Sequence, residues 1–328
     1  MTEPISNPVT VAPRQPDRET RDLLTMMSVS DHPPIWALDV PAARALYDPM
    51  TVQSAHESEP VYEIEERSIA ANIAVRIYRP AAAASPRPAL LFFHGGGGVI
   101  GNLESHDAIC RTLANAADTI VIAVDYRLGP EHPFPAAFED AWSAYEWLVS
   151  SAASIGVDPA RIAVGGDSAG GGLAAAVTAE SLRRASQAPA FQLLLCPSLD
   201  ATRDARRYPS LAENSSGYFM THELMDWFLA NYLNPGVDRA DPHLSPLLGE
   251  LRGRPPATLL ATAGFDPLRD EGKAYADRLS AAGGQVVYRC YENTIHDFFS
   301  FGRFLASAAP ALRECAVVMR ESLVPELR

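Results

Sequence analysis

The chain has 328 residues, 47% of them hydrophobic, and a formal net charge of −13 at pH 7. This length allows one large domain, alone or with an inserted subdomain, and the apolar fraction is sufficient for a large core. The acidic balance argues against nucleic acid and against an anionic membrane surface as partners. It fits a protein that its charge keeps in solution and whose substrate is neutral or small.

Residues 1–55 are predicted to contribute mainly helices. The first 15 or so are polar and rich in proline, and weak helical patterns follow at 20–29 and 41–46. Residues 61–67 and 73–78 are predicted to pair as strands, because apolar residues alternate in the second. The chain begins without the apolar stretch of a signal peptide, and no run of about 18 apolar residues follows. We therefore expect a cytoplasmic protein without stable membrane insertion.

From residue 89 onward, short apolar runs alternate with helical patterns. The predicted strands are 89–93, 119–124, 162–164, 191–196, 258–263 and 286–290. The predicted helices are 105–117, 136–153, 168–185, 270–282 and 308–322, with Ser105 as a candidate N-cap of the first. This alternation is typical of a mostly parallel sheet with helices on both faces, an α/β fold.

The stretch 202–256 interrupts this alternation, and its part from 216 to 233 is predicted to be largely helical. We assign 1–55 to N-terminal cap helices, 202–256 to a cap insertion, and 56–201 with 257–328 to the α/β domain. Aromatic and methionine side chains in the insertion suggest that it covers an apolar binding site, although ordinary packing against the domain would explain them equally well.

A nucleophile elbow is indicated by the run Gly166-Asp167-Ser168-Ala169-Gly170. It follows a strand and precedes a helix, which is the layout of a G-x-S-x-G turn that exposes a serine hydroxyl above a sheet. The turn is tight, so small residues are needed on both sides of the serine.

A serine needs a general base, usually a histidine that is oriented by a carboxylate. On this kind of scaffold the three groups follow in the order Ser, Asp or Glu, His. Asp266 and His296 each follow a predicted strand, where a parallel sheet presents its functional loops. The weaker alternatives are Asp270 and Glu271 for the acid, and His222 and His243 for the base.

Acyl transfer also needs hydrogen-bond donors for the oxyanion of the tetrahedral intermediate. The run His94-Gly95-Gly96-Gly97-Gly98 follows a strand, and an HGGG-type loop supplies such donors in esterases. The backbone N–H of Ala169, next to the serine, is a further candidate. A rival interpretation is a dinucleotide fingerprint formed by Gly96, Gly98 and Gly101 with Asp125, but it leaves Ser168, Asp266 and His296 without a role.

Taken together, these motifs resemble those of the bacterial hormone-sensitive-lipase-like esterases and lipases of the α/β-hydrolase superfamily. The matching segments are His94-Gly95-Gly96-Gly97 and residues 125–136, 165–171, 266–272 and 296–298. The resemblance implies an eight-stranded sheet with an antiparallel second strand, and a helical cap. It implies Ser168, Asp266 and His296 as the catalytic triad.

The resemblance also assigns roles around the triad. It places the oxyanion donors at Gly96, Gly97 and Ala169, and it makes His94, Gly95 and Asp167 structural residues near the site. Gly98 stands where the family usually has an aromatic residue, which would leave a roomier or more flexible acyl pocket.

The expected activity is hydrolysis of short- to medium-chain carboxylic esters through an acyl-enzyme. No metal is expected, since the histidines are scattered and HExxH is absent, and no organic cofactor is needed. The four cysteines lack CxxC spacing, which predicts reduced thiols. The alternatives are a silent ligand-binding or sensor protein, an acyltransferase, or a lactonase. The resemblance further suggests a homodimer through the last strand.

Overall fold

The structure is a computed structural model that describes residues 14–82 and 86–323. Its centre is an eight-stranded sheet in the order β1-β2-β4-β3-β5-β6-β7-β8. The strands are β1 Glu63–Ser68, β2 Ala74–Arg79, β3 Arg87–Phe93, β4 Ile120–Asp125, β5 Val157–Asp167, β6 Phe191–Leu195, β7 Ala257–Phe265 and β8 Val286–Ile295. β2 pairs antiparallel with β1 and β4, and all other pairs are parallel. The predicted α/β-hydrolase sheet is confirmed.

Helices cover both faces of the sheet. They are α1 Arg18–Ser28, α2 Val40–Ser54, α3 Asp107–Ala117, α4 Ala136–Ser151, α5 Ser168–Arg183, α6 Pro209–Glu213, α7 His222–Tyr232, α8 Arg269–Ala281 and α9 Ala308–Leu323. Successive side chains of a strand point to opposite faces. In β3, Leu91 and Phe93 accordingly join a core with α4, α5 and α8, whereas Leu90 and Phe92 join a core with α3 and α9.

One local prediction is wrong, and one predicted helix begins later than expected. Ser105 does not cap α3, because its hydroxyl accepts from the Asn102 N–H at 2.9 Å and donates to the Asn102 carbonyl at 2.8 Å. This local turn competes with a helix cap for the same hydroxyl. The helix predicted from 216 begins only at His222, because Gly217 has a φ of +81° and Thr221 is the N-cap of α7.

The N-terminal helices are joined to the rest of the molecule by specific hydrogen bonds. The Trp227 indole on α7 donates to the Leu38 carbonyl at 3.0 Å. Arg44 on α2 donates to the carbonyls of Val99 at 2.9 Å and Gly129 at 2.8 Å. These contacts hold α2 against the loops that follow β3 and β4, and α7 against the segment before α2. Among the helices of the described segments, none is both long and apolar enough to cross a membrane.

Candidate active site

Ser168 lies at the sharp turn between β5 and α5, with a φ of +51° that few residues other than glycine adopt. The adjacent glycines are required by space. A Cβ on Gly170 would overlap the backbone carbonyls of Phe93 and His94, and one on Gly166 would overlap the Phe93 carbonyl. Close packing of the turn against the end of β3 thus explains the two glycines, and it leaves Ser168 6% exposed.

The structure brings Ser168, His296 and Asp266 together in one hydrogen-bonded row. The Nε2 atom of His296 lies 3.0 Å from Ser168 Oγ, and its Nδ1 atom lies 2.8 Å from Asp266 Oδ2. These distances fit a base that takes the serine proton and a carboxylate that orients the base. Asp266 is itself fixed, because its Oδ1 atom accepts from the Leu268 N–H at 2.8 Å.

The charge of Asp266 also affects the basicity of His296. Burial alone would lower the pKa of His296, but the charge and hydrogen bond of Asp266 outweigh it, so that this pKa is raised above its usual value. A raised pKa stabilises the imidazolium that forms when the serine gives up its proton.

The alternative acids and bases lie elsewhere. Asp270 pairs with Arg269 at 2.8 Å and accepts from the Ser210 N–H at 2.7 Å, while Glu271 accepts from the Leu199 N–H at 2.7 Å. His243 stacks on Phe138, and its Nε2 lies 3.3 Å from Glu180. His222 is the first residue of α7 and, like His243, has no hydrogen bond to Ser168 in the described part of the chain.

The glycine loop after β3 leaves backbone donors free. Gly96 and Gly97 have φ values of +109° and +64°, and both line a cavity together with Ser168 and His296. Within residues 14–82 and 86–323, no acceptor takes the N–H of Gly96 or Gly97. The N–H of Ala169 lies in the first turn of α5, where no intrahelical partner exists. These three donors are available for an oxyanion.

His94 packs inside the loop rather than lining the cavities. Its ring stacks on Tyr126 with centroids 4.3 Å apart, and its Nδ1–H donates to the Gly95 carbonyl at 2.8 Å. The Tyr126 hydroxyl donates to the His94 carbonyl at 2.6 Å. Burial lowers the pKa of His94 to about 4. A neutral ring that holds the loop fits the structural role expected for His94.

His106 is a residue of the site that the sequence analysis missed. Its Nε2 atom lies 3.1 Å from Asp167 Oδ2 and 3.2 Å from the Gly95 amide nitrogen. Burial alone would lower the pKa of His106, but the charge and hydrogen bond of Asp167 raise it. A Cβ on Gly95 would overlap the Asp167 carboxylate. His106 therefore connects the glycine loop to the residue that precedes Ser168.

Two groups of described side chains could in principle approach a metal ion, Cys196 with Asp266 and His296, and His106 with Asp167 and Asp297. In each group a histidine nitrogen and a carboxylate oxygen already form a hydrogen bond with each other.

The dinucleotide interpretation fits the structure poorly. Its fingerprint glycine should open a helix, but α3 begins only at Asp107.

Two cavities flank Ser168. The inner cavity, about 100 Å³, is lined by Gly98, Ala169, Leu173, Met225, Leu229 and Tyr232, among others. The histidine-side cavity, about 20 Å³, is lined by Ile35, Tyr47, Phe219, Leu224, His296 and others. Ser168, Gly97, Met220 and Phe228 line both. The two cavities above the serine therefore meet at Met220 and at Phe228 of α7.

The glycine at position 98 does not leave open space. A Cβ there would lie 2.8 Å from the Tyr232 ring, and Gly98 has a φ of +72°. Tyr232 on α7 thus occupies the volume beside the loop, and the expected roomier pocket is not found at this point.

The fold and this row of side chains define the class of the protein, an α/β hydrolase. A family model described as "alpha/beta hydrolase fold" matches residues 90–300. The chain is 43% identical to the carboxylic ester hydrolase LipN of Mycobacterium tuberculosis over 77% of this chain and 68% of that protein. It is 37% identical to an ethyl acetate hydrolase of Pseudomonas putida over 85% and 89%.

Similar solved structures support the same family assignment. The ester hydrolase EH1AB1 from the metagenome of Lake Arreo, complexed with a bipyridine phosphonate derivative, is 41% identical with a TM-score of 0.89, covering 94% of this chain and 99% of that one. A thermostable esterase from Pseudomonas putida ECU1011 is 32% identical with a TM-score of 0.90, covering 97% and 100%. The chain belongs to the α/β-hydrolase family, and its resemblance to the hormone-sensitive-lipase-like esterases is confirmed.

Proposed function

We propose that this protein is a carboxylic ester hydrolase in which Ser168 is the nucleophile, His296 the general base and acid, and Asp266 the orienting carboxylate. One observation carries the proposal. His296 lies within hydrogen-bond distance of both partners, with 3.0 Å to Ser168 Oγ and 2.8 Å to Asp266 Oδ2. The ester hydrolases among its relatives supply independent support.

The reaction has two steps. Ser168 Oγ attacks the ester carbonyl while His296 Nε2 takes its proton, and His296 then gives this proton to the leaving alkoxide, which departs as an alcohol. His296 next takes a proton from water, whose oxygen attacks the acyl-enzyme. The proton returns to Ser168 as the carboxylic acid leaves. Asp266 stabilises the imidazolium in both steps.

The oxyanion of each tetrahedral intermediate is assigned to the N–H groups of Gly96, Gly97 and Ala169. Two observations support this assignment. No described acceptor takes the N–H of Gly96 or Gly97, and the N–H of Ala169 lies in the first turn of α5. The loss of one such donor typically costs about 10²–10³ in kcat. His106, Asp167 and His94 are proposed to hold this loop in place.

The test is hydrolysis of p-nitrophenyl esters of increasing acyl length by wild type, Ser168→Ala and Ser150→Ala. Ser150 is exposed on α4, and its hydroxyl donates only within its own helix. We expect activity on short and medium acyl chains, a loss of about 10⁴ or more in kcat for Ser168→Ala, and wild-type rates for Ser150→Ala. Unchanged turnover in Ser168→Ala would overturn the assignment.

The cap boundaries at residues 1–55 and 202–256 stay part of this proposal, as does a cytoplasmic location. The cap assignment is supported by the packing of α2 and α7 over the loops around Ser168, and residues 1–13 of it lie outside the described residues. Limited proteolysis that releases these segments before the α/β domain, and fractionation of the source cells, would test the two points.

A homodimer through β8 is also proposed. β8 is an edge strand, and Val286, Val287 and Tyr288 on it are partly exposed. An open edge of this kind can pair with a second copy. The opposite edge, β1, carries Glu63, Glu65 and Glu66 instead, which disfavours pairing. Light scattering should give twice the chain mass, and a monomer at micromolar concentration would contradict the dimer.

A further inference from the structure

A third cavity lies beyond the histidine-side cavity and is much larger than the two that flank Ser168. This N-terminal groove, about 710 Å³, runs between α1, α2 and the segment before α7. Its walls are mostly apolar and include Leu23, Met27, Trp36, Ala45, Met50 and Tyr218. Met26 and Trp36 at the groove are 46% and 37% exposed. Large exposed apolar side chains around a concave surface mark a binding site.

The groove is separated from the reacting atoms by one layer of side chains. Ile35, Phe219 and Leu224 line both the groove and the histidine-side cavity. The other walls of that cavity include Ser168 and His296. Phe219 lies between Gly217 and the first turn of α7, outside any helix. Its ring can therefore move without disturbing α7, at the cost of its edge-on contact with Phe301, where the ring centroids are 5.1 Å apart.

The chemistry of the reaction decides which half of the ester faces the groove. His296 Nε2 must deliver its proton to the leaving alkoxide oxygen, so the alcohol half has to lie on the His296 side. His296 lines the histidine-side cavity but not the inner cavity. The acyl half is left with the inner cavity, of about 100 Å³.

We infer that the N-terminal groove binds the apolar alkyl arm of the alcohol half, so that the preferred substrates are short-acyl esters of longer alcohols. This inference rests on the proposed ester hydrolysis. Each methylene that leaves water improves binding by about fourfold. Lengthening the alcohol should therefore raise kcat/KM steeply, whereas lengthening the acyl chain should reach its limit early in the inner cavity, because its volume is only about 100 Å³.

The experiment compares two ester series below their solubility limits, acetates of ethanol, butanol and hexanol, and ethyl esters of acetic, butyric and hexanoic acid. Ala45→Trp fills the groove from an exposed position. Val52→Trp is the matched control on the same helix, 52% exposed and outside the groove lining. Wild type and Val52→Trp should prefer hexyl over ethyl acetate in kcat/KM by about 250-fold if all four added methylenes leave water, and by about 16-fold if two do. Ala45→Trp should lose most of this preference.

Equal kcat/KM along the alcohol series, or the same preference in Ala45→Trp as in wild type, would overturn the inference. Calorimetry of hexyl acetate and ethyl acetate binding to Ser168→Ala tests the groove separately from the proposed ester hydrolysis. If the hexyl ester binds more tightly than the ethyl ester, and adding Ala45→Trp to Ser168→Ala abolishes this difference, the groove is supported even if wild type hydrolyses no ester. Hydrolysis without a length-dependent difference in binding supports the esterase and refutes the groove.

Discussion

Asp266→Asn gives the sharpest test of the candidate site, because Asp266 touches His296 and lines none of the three cavities. The substitution keeps the shape of the side chain and removes its charge. Two unit charges about 4 Å apart at an effective dielectric constant of 20 attract each other by about 4 kcal/mol. Loss of this stabilisation of the imidazolium should lower kcat by about 10³. His296 is then also free to take the wrong tautomer, which increases the total reduction in kcat to about 10⁴.

The assay is steady-state hydrolysis of p-nitrophenyl butyrate between pH 5 and 9. KM should stay close to the wild-type value, since the binding walls are unchanged. The acidic limb of kcat should move to lower pH, because the pKa of His296 falls without the carboxylate. Asp270→Asn is the matched control, four positions along the chain and bonded to Arg269 rather than to His296. More than a tenth of wild-type kcat in folded Asp266→Asn would refute the reasoning.

Three further predictions follow from the same contacts. In wild type, kcat/KM should fall as the pH drops through a midpoint above the usual histidine value of 6.5, because His296 must be neutral to accept a proton and its pKa is raised. A midpoint at or below 6.5 would contradict this. Gly170→Ala should lower the free energy of unfolding in urea by about 3 kcal/mol or prevent folding, since the new Cβ would overlap two backbone carbonyls. The control Gly283→Ala has open space around it and should cost only about 1 kcal/mol of backbone strain. Equal costs would refute the steric argument. Trp227→Phe should lose about 1 kcal/mol with the bond to Leu38 and speed proteolysis around residue 38; an unchanged cleavage rate would show that this bond does not hold the cap.

The sheet and the Ser168, Asp266 and His296 row could be predicted because each rests on a local pattern. The elbow has a fixed spacing around Ser168, and Asp266 and His296 each follow a strand whose apolar run is evident. Their meeting point then follows from the parallel sheet, whose carboxyl ends share one edge.

Other features could not be predicted because they depend on contacts between distant parts of the chain. The link from His106 to Asp167 has no spacing rule, since it arises only when the loop before α3 folds under the elbow. The ring that fills the space beside Gly98 comes from Tyr232, on a different element. At Ser105, two local patterns competed for one hydroxyl, and the turn with Asn102 was the one formed.

The residues of the row and the outer walls around the substrate come from separate parts of the chain. Ser168, Asp266 and His296 lie at the ends of β5, β7 and β8, whereas most of the outer walls come from residues 23–54 and 217–232. Substitutions in these outer segments can therefore change which esters fit without disturbing the atoms that cut them. Reactivity and substrate selectivity can thus change independently, both in evolution and in engineering. A library of variants confined to the N-terminal helices would alter which substrates bind, while every variant keeps Ser168.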